Sequence, residues 1–313
     1  MLDILAITGP IYVVIALGYF LTRWGFFQKS DMRAFGTFVV KVSFPALLFN
    51  ALSQRQVSDI LNVQYLWAYA LSTLLTLGLV LLWSNSMAGR SRSLASCYAI
   101  GITCPNSGFV GYPVILLSLG PIAGVTLALN MVVENLLILP LLLAWADSEK
   151  GSGKWRDVLA QTFKGMALNP MIWGIVVGFV FAVMQWRLPP AFSRSVDLFS
   201  QSSGALALFV IGGSLVGLQV KGVRVDVAKI AMGKLLLHPL VAWVVLMWLA
   251  PISDPVLRTA ALMTCAMPML GIYSILTQKH GHEGLSAAAL LGTTMASFVT
   301  LNLLLWMLQK MPM

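Results

Sequence analysis

Apolar stretches of about 20 residues follow one another along the whole chain, separated by short polar or Gly/Pro-rich segments. A helix of about 20 residues crosses a bilayer core about 30 Å thick, whereas a transmembrane barrel shows alternating segments of about 10 residues. The pattern therefore predicts an all-α polytopic membrane protein. Its ten predicted transmembrane helices have limits near residues 5–22, 34–52, 63–86, 94–117, 121–146, 167–186, 197–219, 226–249, 256–279 and 285–308.

Composition supports this interpretation, because 58% of the residues are hydrophobic and only 10% are charged. A soluble globular domain has about 25% charged residues. The net charge of +9 is therefore attributed to membrane topology, and no nucleic-acid partner is expected. Cys97, Cys104 and Cys265 all lie in apolar segments, which does not indicate a disulfide framework. The N-terminus lacks a basic region and a cleavage site, so its first apolar stretch is predicted to be a retained span.

The distribution of cations predicts the orientation in the membrane. When loops are assigned to alternating sides, 15 of the 20 Lys and Arg residues fall on one side. Cytoplasmic loops carry the excess of cations, so both termini are predicted to lie outside the plasma membrane, here the bacterial inner membrane. Lys41 and Lys234 are placed near cytoplasmic helix ends, where snorkelling of the long side chain would explain them.

The two halves of the chain resemble each other at a spacing of 160 to 161 residues. "GPIYVVIALGY" (9–19) matches "NPMIWGIVVGF" (169–179), and "PALLF" (45–49) aligns with "ALALF" (205–209). The match predicts a five-helix repeat over residues 1–146, a cytoplasmic linker over 147–166 and a second five-helix repeat over 167–313. Because five spans are an odd number, the second repeat is inverted, an arrangement typical of secondary transporters.

The fourth and ninth spans are interrupted at matching places, by "TCPNSGFVGYP" (103–113) and "TCAMPMLGIYS" (264–274). Proline and glycine prevent an unbroken helix, and paired breaks in the two halves indicate a transport site near the membrane centre. If the breaks cross, two positive half-helix ends converge on a small anion. A kink filled by neighbouring helices is the alternative. The candidate substrate-binding residues are Pro105, Asn106, Ser107, Gly108, Met267, Pro268, Met269, Leu270 and Gly271.

"NSGFVGYP" in the fourth span and "AMPMLGIYSILTQKHG" in the ninth, with ten spans in a 5+5 repeat, resemble the auxin efflux carrier family. The length and the absence of a long central loop resemble its short prokaryotic branch, which includes malonate carriers. The resemblance implies that helices four and nine cross and bind a carboxylate near Pro105, Asn106 and Pro268. This chain departs from the plant pattern because Met267 and Met269, rather than an asparagine, flank Pro268. Binding is therefore expected to depend more on backbone N–H groups.

Glu134 is the only acidic residue near the middle of a predicted span. A charge there costs about 2.5–3.5 kcal/mol on insertion scales, so its side chain is expected to face the protein interior. It is a candidate coupling group for H⁺ or Na⁺, with Asn130 and Asn135 as candidate hydrogen-bond partners. A protonated structural glutamate is the alternative. No other cofactor is expected.

Other polar residues within spans have ordinary structural interpretations beside functional ones. Ser43 and Asn50 could line the substrate cavity or serve helix packing. His238 could relay protons or act as a packing or capping element. His280 and His282 do not make a convincing zinc pattern, and "IGGSLVG" (211–217) lacks the nearby base that a serine nucleophile needs.

The sequence thus predicts a secondary carrier of a small organic anion, a mono- or dicarboxylate, and not an enzyme, since it contains no Walker A or nucleotide motif. Movement of a transport bundle relative to a scaffold bundle, each drawn from both repeats, would give alternating access. A homodimer could form through the scaffold spans. The alternatives are a cation/proton antiporter or bile-acid-type sodium symporter of similar fold and, from another class, a channel or membrane receptor.

Overall fold

Helices make up almost all the regular structure in the computed structural model, which describes residues 2–86, 92–147, 164–217, 224–271, 273, 277 and 281–310. The first helices are α1 (Leu2–Arg23), α2 (Lys29–Ser53), α3 (Val57–Ile60), α4 (Val63–Ser86), α5 (Arg92–Thr103) and α6 (Ser107–Leu119). Helix α7 is continuous through Ile122–Val133, Glu134–Ile138 and Leu139–Asp147. The remaining helices are α8 (Pro170–Met184), α9 (Pro190–Ser214), α10 (Arg224–Leu249), α11 (Pro255–Ala266) and α12 (Glu283–Lys310).

Six described stretches are long and apolar enough to cross a bilayer, and they lie in α2, α4, α7, α9, α10 and α12. Three shorter apolar helices cover 93–103, 107–119 and 170–184. The prediction of an all-helical, multi-pass membrane protein is confirmed. Most predicted limits agree with the observed helix ends to within five residues, but α9 begins seven residues before the predicted 197 and α11 ends at Ala266 instead of 279. The count of ten spans in a 5+5 repeat stays a prediction. Most of the predicted 147–166 linker lies outside the described residues.

Within the described residues, four helices contain π-helical turns that hydropathy did not predict, and α10 contains two of them. These turns are Val39–Ser43, Ser107–Gly111, Glu134–Ile138, Gly233–Leu237 and Val245–Leu249. A π turn inserts an extra residue into the helical repeat and is common at functional sites. Ser43, Ser107, Glu134 and Lys234 all lie within such turns, so these polar side chains coincide with local departures from the α-helical repeat.

The described residues form two compact units, and each unit draws on both halves of the chain. The first unit comprises Met1–Val63, Gly108–Met131 and Lys164–Val216. The second comprises Gln64–Ser107, Val132–Phe163 and Gly217–Met313.

The core of the first unit depends on helices that approach each other backbone to backbone. A Cβ atom added to Gly18 of α1 would lie 2.2 Å from the carbonyl oxygen of Phe209 in α9. A Cβ atom added to Gly178 of α8 would lie 3.0 Å from the carbonyl oxygen of Phe49 in α2. Gly18 and Gly178 are 160 residues apart, as are Phe49 and Phe209. This reciprocal pair of contacts is what a duplication at that spacing predicts.

Candidate functional site

The two interrupted segments are broken where the sequence predicts, and their breaks touch each other within the second unit. Helix α5 ends at Thr103, and α11 ends at Ala266. The backbone N–H of Asn106 donates to the Pro268 carbonyl over 2.8 Å, and the N–H of Leu270 donates to the Cys104 carbonyl over 2.9 Å. Pro105 and Met269 face each other in an isolated antiparallel bridge.

These two hydrogen bonds explain how unwound chain is tolerated inside a predicted membrane span. Unpaired backbone groups in a membrane interior cost several kcal/mol each unless protein or water satisfies them. Pro105 has no N–H to leave unpaired, and its two neighbours are paired with the other segment. Each break therefore supplies the hydrogen-bond partners that the other has lost.

The register at the crossing differs from the spacing of the sequence repeat. The two hydrogen bonds join Asn106 to Pro268 and Leu270 to Cys104, so the two donors, Asn106 and Leu270, are 164 residues apart, as are the two acceptors, Cys104 and Pro268. The sequence match gives 160 to 161 residues. Two extended stretches can pair with a shift of a few residues while the helices beside them keep the same packing faces. The alignment of the flanking helices therefore does not determine the register of the breaks. At the crossing, the counterpart of the Asn106 amide is consequently an apolar leucine.

Most of the predicted crossing residues do come together. Pro105, Asn106, Ser107, Met267, Pro268 and Met269 are buried, Leu270 is half-buried and Gly271 is exposed. A Cβ atom on Gly271 would lie 3.7 Å from the side-chain nitrogen of Asn106, so the amide lies close to this exposed glycine. Gly108 has a different role, because its own Cβ position is only 2.9 Å from the Phe44 ring in the first unit. Gly108 thus permits close packing.

Tyr273, which is not among the predicted site residues, fixes the interrupted segment of the ninth span against α5. Its hydroxyl donates to the Cys97 carbonyl over 2.7 Å and lies 3.1 Å from the Cys97 sulfur. Gly101 leaves room for this ring, since a Cβ there would lie 2.8 Å from the tyrosine oxygen. The backbone N–H of Tyr273 also donates to Leu270 over 3.0 Å. Tyr273 therefore positions the chain that follows the break.

Replacing Tyr273 with phenylalanine should lower the apparent unfolding temperature of the purified protein by a few degrees. The change leaves the buried Cys97 carbonyl without this donor, which costs about 1–3 kcal/mol. The matched control is Tyr19→Phe, which removes an exposed hydroxyl that contacts Arg23 and should leave the unfolding temperature unchanged. Equal unfolding curves for Tyr273→Phe and the wild-type protein would contradict this positioning role.

Glu134 lies inside the second unit and is linked to the crossing. Its Oε1 atom accepts hydrogen bonds from the Tyr69 hydroxyl over 2.7 Å and from the Ser107 hydroxyl over 2.5 Å. The side chain is 6% exposed, so the expectation of an interior-facing carboxyl is confirmed. Ser107 directly follows Asn106 in the chain, which places the carboxyl one residue from the crossing. The predicted sharing of hydrogen bonds with Asn130 stays a prediction, and Asn130 is itself buried in the first unit.

Lys234 contradicts the expectation of a snorkelling side chain. It is 0% exposed, and its Nζ atom donates to the Cys265 carbonyl over 3.2 Å and lies 2.8 Å from His238 Nδ1. Lys234 lies eight residues inside the predicted span 226–249 and ten residues after Arg224, the first residue of α10, so the assignment to a helix end was wrong. His238 is buried beside it and contributes to this polar cluster.

The remaining candidates, Ser43 and Asn50, belong to the first unit. The Ser43 hydroxyl is 2.9 Å from that of Ser202, and the Asn50 amide donates to Asp197 over 2.7 Å. Asn50 also lines a cavity of about 990 Å³ in the first unit, together with Arg55 and Arg187. Neither Ser43 nor Asn50 belongs to the second unit.

His280 and His282 were considered as a zinc pattern, and the structure describes only the second of them. His282 lies 3.0 Å from the Ser93 hydroxyl, while His280 lies outside the described residues. Over the described part of the chain, no group of three His, Cys, Asp or Glu side chains could hold a metal ion.

Sequence reasoning missed Tyr69 and undervalued Lys234 and Tyr273. A tyrosine in an apolar span carries no distinctive signal, because its ring suits a core as well as a site. Lys234 did carry a signal, namely its distance from the first polar residues of its span.

Known proteins resemble this chain along nearly its full length. The sequence profile of the family described as "membrane transport protein" matches residues 6–307. A "putative malonate transporter" of Rhizobium meliloti (strain 1021) is 25% identical over 99% of this chain and 97% of its own length. The "uncharacterized transporter YfdV" of Escherichia coli (strain K12) is 23% identical over 74% of each chain. Auxin efflux carrier component 2 of Arabidopsis thaliana is 26% identical over 46% of this chain and 22% of its own. The predicted resemblance is confirmed, and the chain belongs to the membrane transport protein family, that of the auxin efflux carriers.

Proposed function

We propose that the protein is a secondary active carrier of a small organic anion, a mono- or dicarboxylate such as malonate. The observation that carries this proposal is the crossing, where two broken helices meet with the Asn106 amide beside them. The anion binds at the crossing and is exposed to either side of the membrane in turn. The ten spans form a 5+5 inverted repeat with both termini outside the bacterial inner membrane.

The electrostatics of the crossing favour an anion. Helix α6 starts at Ser107, directly after the first break, and the first N–H groups of a helix have no partner within it. These groups and the helix dipole attract negative charge. After the second break the chain is again helical at Tyr273 and Thr277. Neither interrupted stretch contains an aspartate or glutamate, the oxygen ligands that hard cations prefer.

The side chains at the crossing favour a carboxylate over a larger or more polar ligand. The Asn106 amide offers two N–H donors, while its counterpart Leu270 offers none. One carboxylate group is therefore held by the amide and by backbone N–H groups. Met267 and Met269, both 0% exposed, make the surroundings apolar, which strengthens those few polar contacts. The similarity to a protein named as a malonate transporter supports the same class of ligand.

Substituting Asn106 with alanine tests the site. We expect malonate binding to weaken about 10-fold, because hydrogen bonds to a charged group contribute roughly 1.5–3 kcal/mol. Binding is measured by thermal shift and by uptake into vesicles that contain the purified protein. The control is Asn302→Ala, which removes an amide that donates to the Phe298 carbonyl of its own helix, elsewhere in the second unit. Equal malonate affinity in Asn106→Ala and the wild-type protein would refute the site, and failure of every small carboxylate to bind would refute the function.

A further inference from the structure

The charge of Lys234 lies at the depth of the crossing. Lys234 is ten residues after Arg224, the first residue of α10, which corresponds to about 15 Å along the helix axis. That is half the thickness of a bilayer core of about 30 Å. A buried charge at this depth is costly and is usually retained for function.

The lysine ammonium occupies the negative end of a half-helix. Its hydrogen-bond acceptor, the Cys265 carbonyl, belongs to the last turn of α11, just before the break. The last carbonyl groups of a helix have no partner within it and carry partial negative charge. In carriers with broken helices, such carbonyl ends are the groups that coordinate sodium.

Local packing brings the lysine to this position. A Cβ atom on Gly233 would lie 2.5 Å from the end of the Ile102 side chain in α5. The glycine therefore lets α10 approach the fourth span closely. Lys234 is also part of the π turn Gly233–Leu237, which departs from the α-helical repeat at this residue.

The groups that interact with the ammonium come from each broken segment and from α7. His238 is its neighbour on its own helix, and Cys104 and Cys265 belong to the fourth and ninth spans. Glu134 of α7 also interacts with it electrostatically.

We propose that the Lys234 ammonium is a built-in cation that fills the site at the carbonyl end of α11, and that the carrier consequently works without sodium. The sodium independence of transport rests on the proposed function, whereas the occupation of the cation site by Lys234 does not. Removal of the ammonium opens the site to a small cation from solution. The protein then gains a dependence on sodium that the wild-type chain lacks.

The experiment compares the wild-type protein with two variants in sodium chloride and in choline chloride. Lys234→Ala removes the ammonium and leaves space, while Lys234→Met removes the charge but keeps a side chain of similar length. We expect the wild-type protein to unfold at the same temperature in both salts. We expect the same of Lys234→Met. We expect sodium to raise the unfolding temperature of Lys234→Ala by about 5 °C when its concentration is 100 times the dissociation constant.

A second measurement separates this inference from the proposed function. Malonate uptake by the wild-type protein should proceed at equal rates with and without sodium. If no carboxylate is bound or carried, the proposed function fails, but the salt comparison still decides the cation site. A saturable stabilisation of the wild-type protein by sodium would overturn the inference. The inference would also be overturned if sodium did not change the unfolding temperature of Lys234→Ala. If the alanine variant does not yield folded protein, Lys234→Ser takes its place.

Discussion

Replacing Glu134 with glutamine should abolish the stimulation of carboxylate uptake by an imposed proton gradient while leaving the protein folded. Glutamine keeps a side-chain oxygen that accepts from the Tyr69 and Ser107 hydroxyls, but it cannot take up or release a proton. If Glu134 couples proton movement to the anion, accumulation driven by pH should fall at least 10-fold. Exchange of labelled for unlabelled substrate across the vesicle membrane should continue, because it needs no net proton movement.

Asp254→Asn is the matched control for this prediction. Asp254 caps the start of α11, where its carboxylate accepts from the backbone N–H groups of Val256 and Leu257. Asparagine caps a helix equally well, so this variant neutralises an acidic residue without changing the fold. Its pH-driven uptake should match that of the wild-type protein. An unaltered pH dependence in Glu134→Gln would leave Glu134 as a structural residue.

Gly212→Ala should produce the largest loss of stability among the predicted variants. The added Cβ atom would lie 1.9 Å from the carbonyl oxygen of Ile15 and 2.9 Å from the backbone nitrogen of Tyr19. Both are backbone atoms of α1, so neither can move aside as a flexible side chain would. The helices α1 and α9 must separate, and we expect the unfolding temperature to fall by about 10 °C, a cost of roughly 3 kcal/mol.

Gly78→Ala is the control, because the same substitution is expected there to leave the stability unchanged or to increase it. Gly78 lies within α4, and a Cβ atom there meets nothing within 4 Å. Alanine is favoured over glycine in a helix by about 0.5–1 kcal/mol, so this variant should be as stable as the wild-type protein or slightly more so. Unfolding of Gly212→Ala at the wild-type temperature would show that α1 and α9 do not pack as closely as described.

The sequence was sufficient to locate the two breaks, because proline, glycine and asparagine have strong local effects within an apolar stretch. Pro105 and Pro268 lie in non-helical segments, as predicted. The register of the crossing could not be predicted in the same way, since the pairing of two extended segments depends on contacts between residues far apart in the chain. The alignment of the halves therefore did not predict that Asn106 pairs with Pro268 and Leu270 with Cys104.

The error at Lys234 has a different physical origin. The expectation of snorkelling assumed that a long side chain eight residues inside the predicted span 226–249 still reaches the interface. Its burial depends on Gly233, which lets α10 approach Ile102, and on an acceptor carbonyl from another helix. Neither contact can be read from the local pattern. Glu134 was recognised because no nearby span end could account for its charge.

The paired backbone groups at the crossing also restrict how the carrier can move. Separating the fourth and ninth segments would break two amide hydrogen bonds, each worth about 4–6 kcal/mol where no water can replace them. A state with both bonds broken would therefore be populated at only about one part in 10⁶ or less. In the proposed carrier, the two segments therefore travel together through the transport cycle as one block, and the bending that alternately opens the two sides occurs elsewhere in the chain.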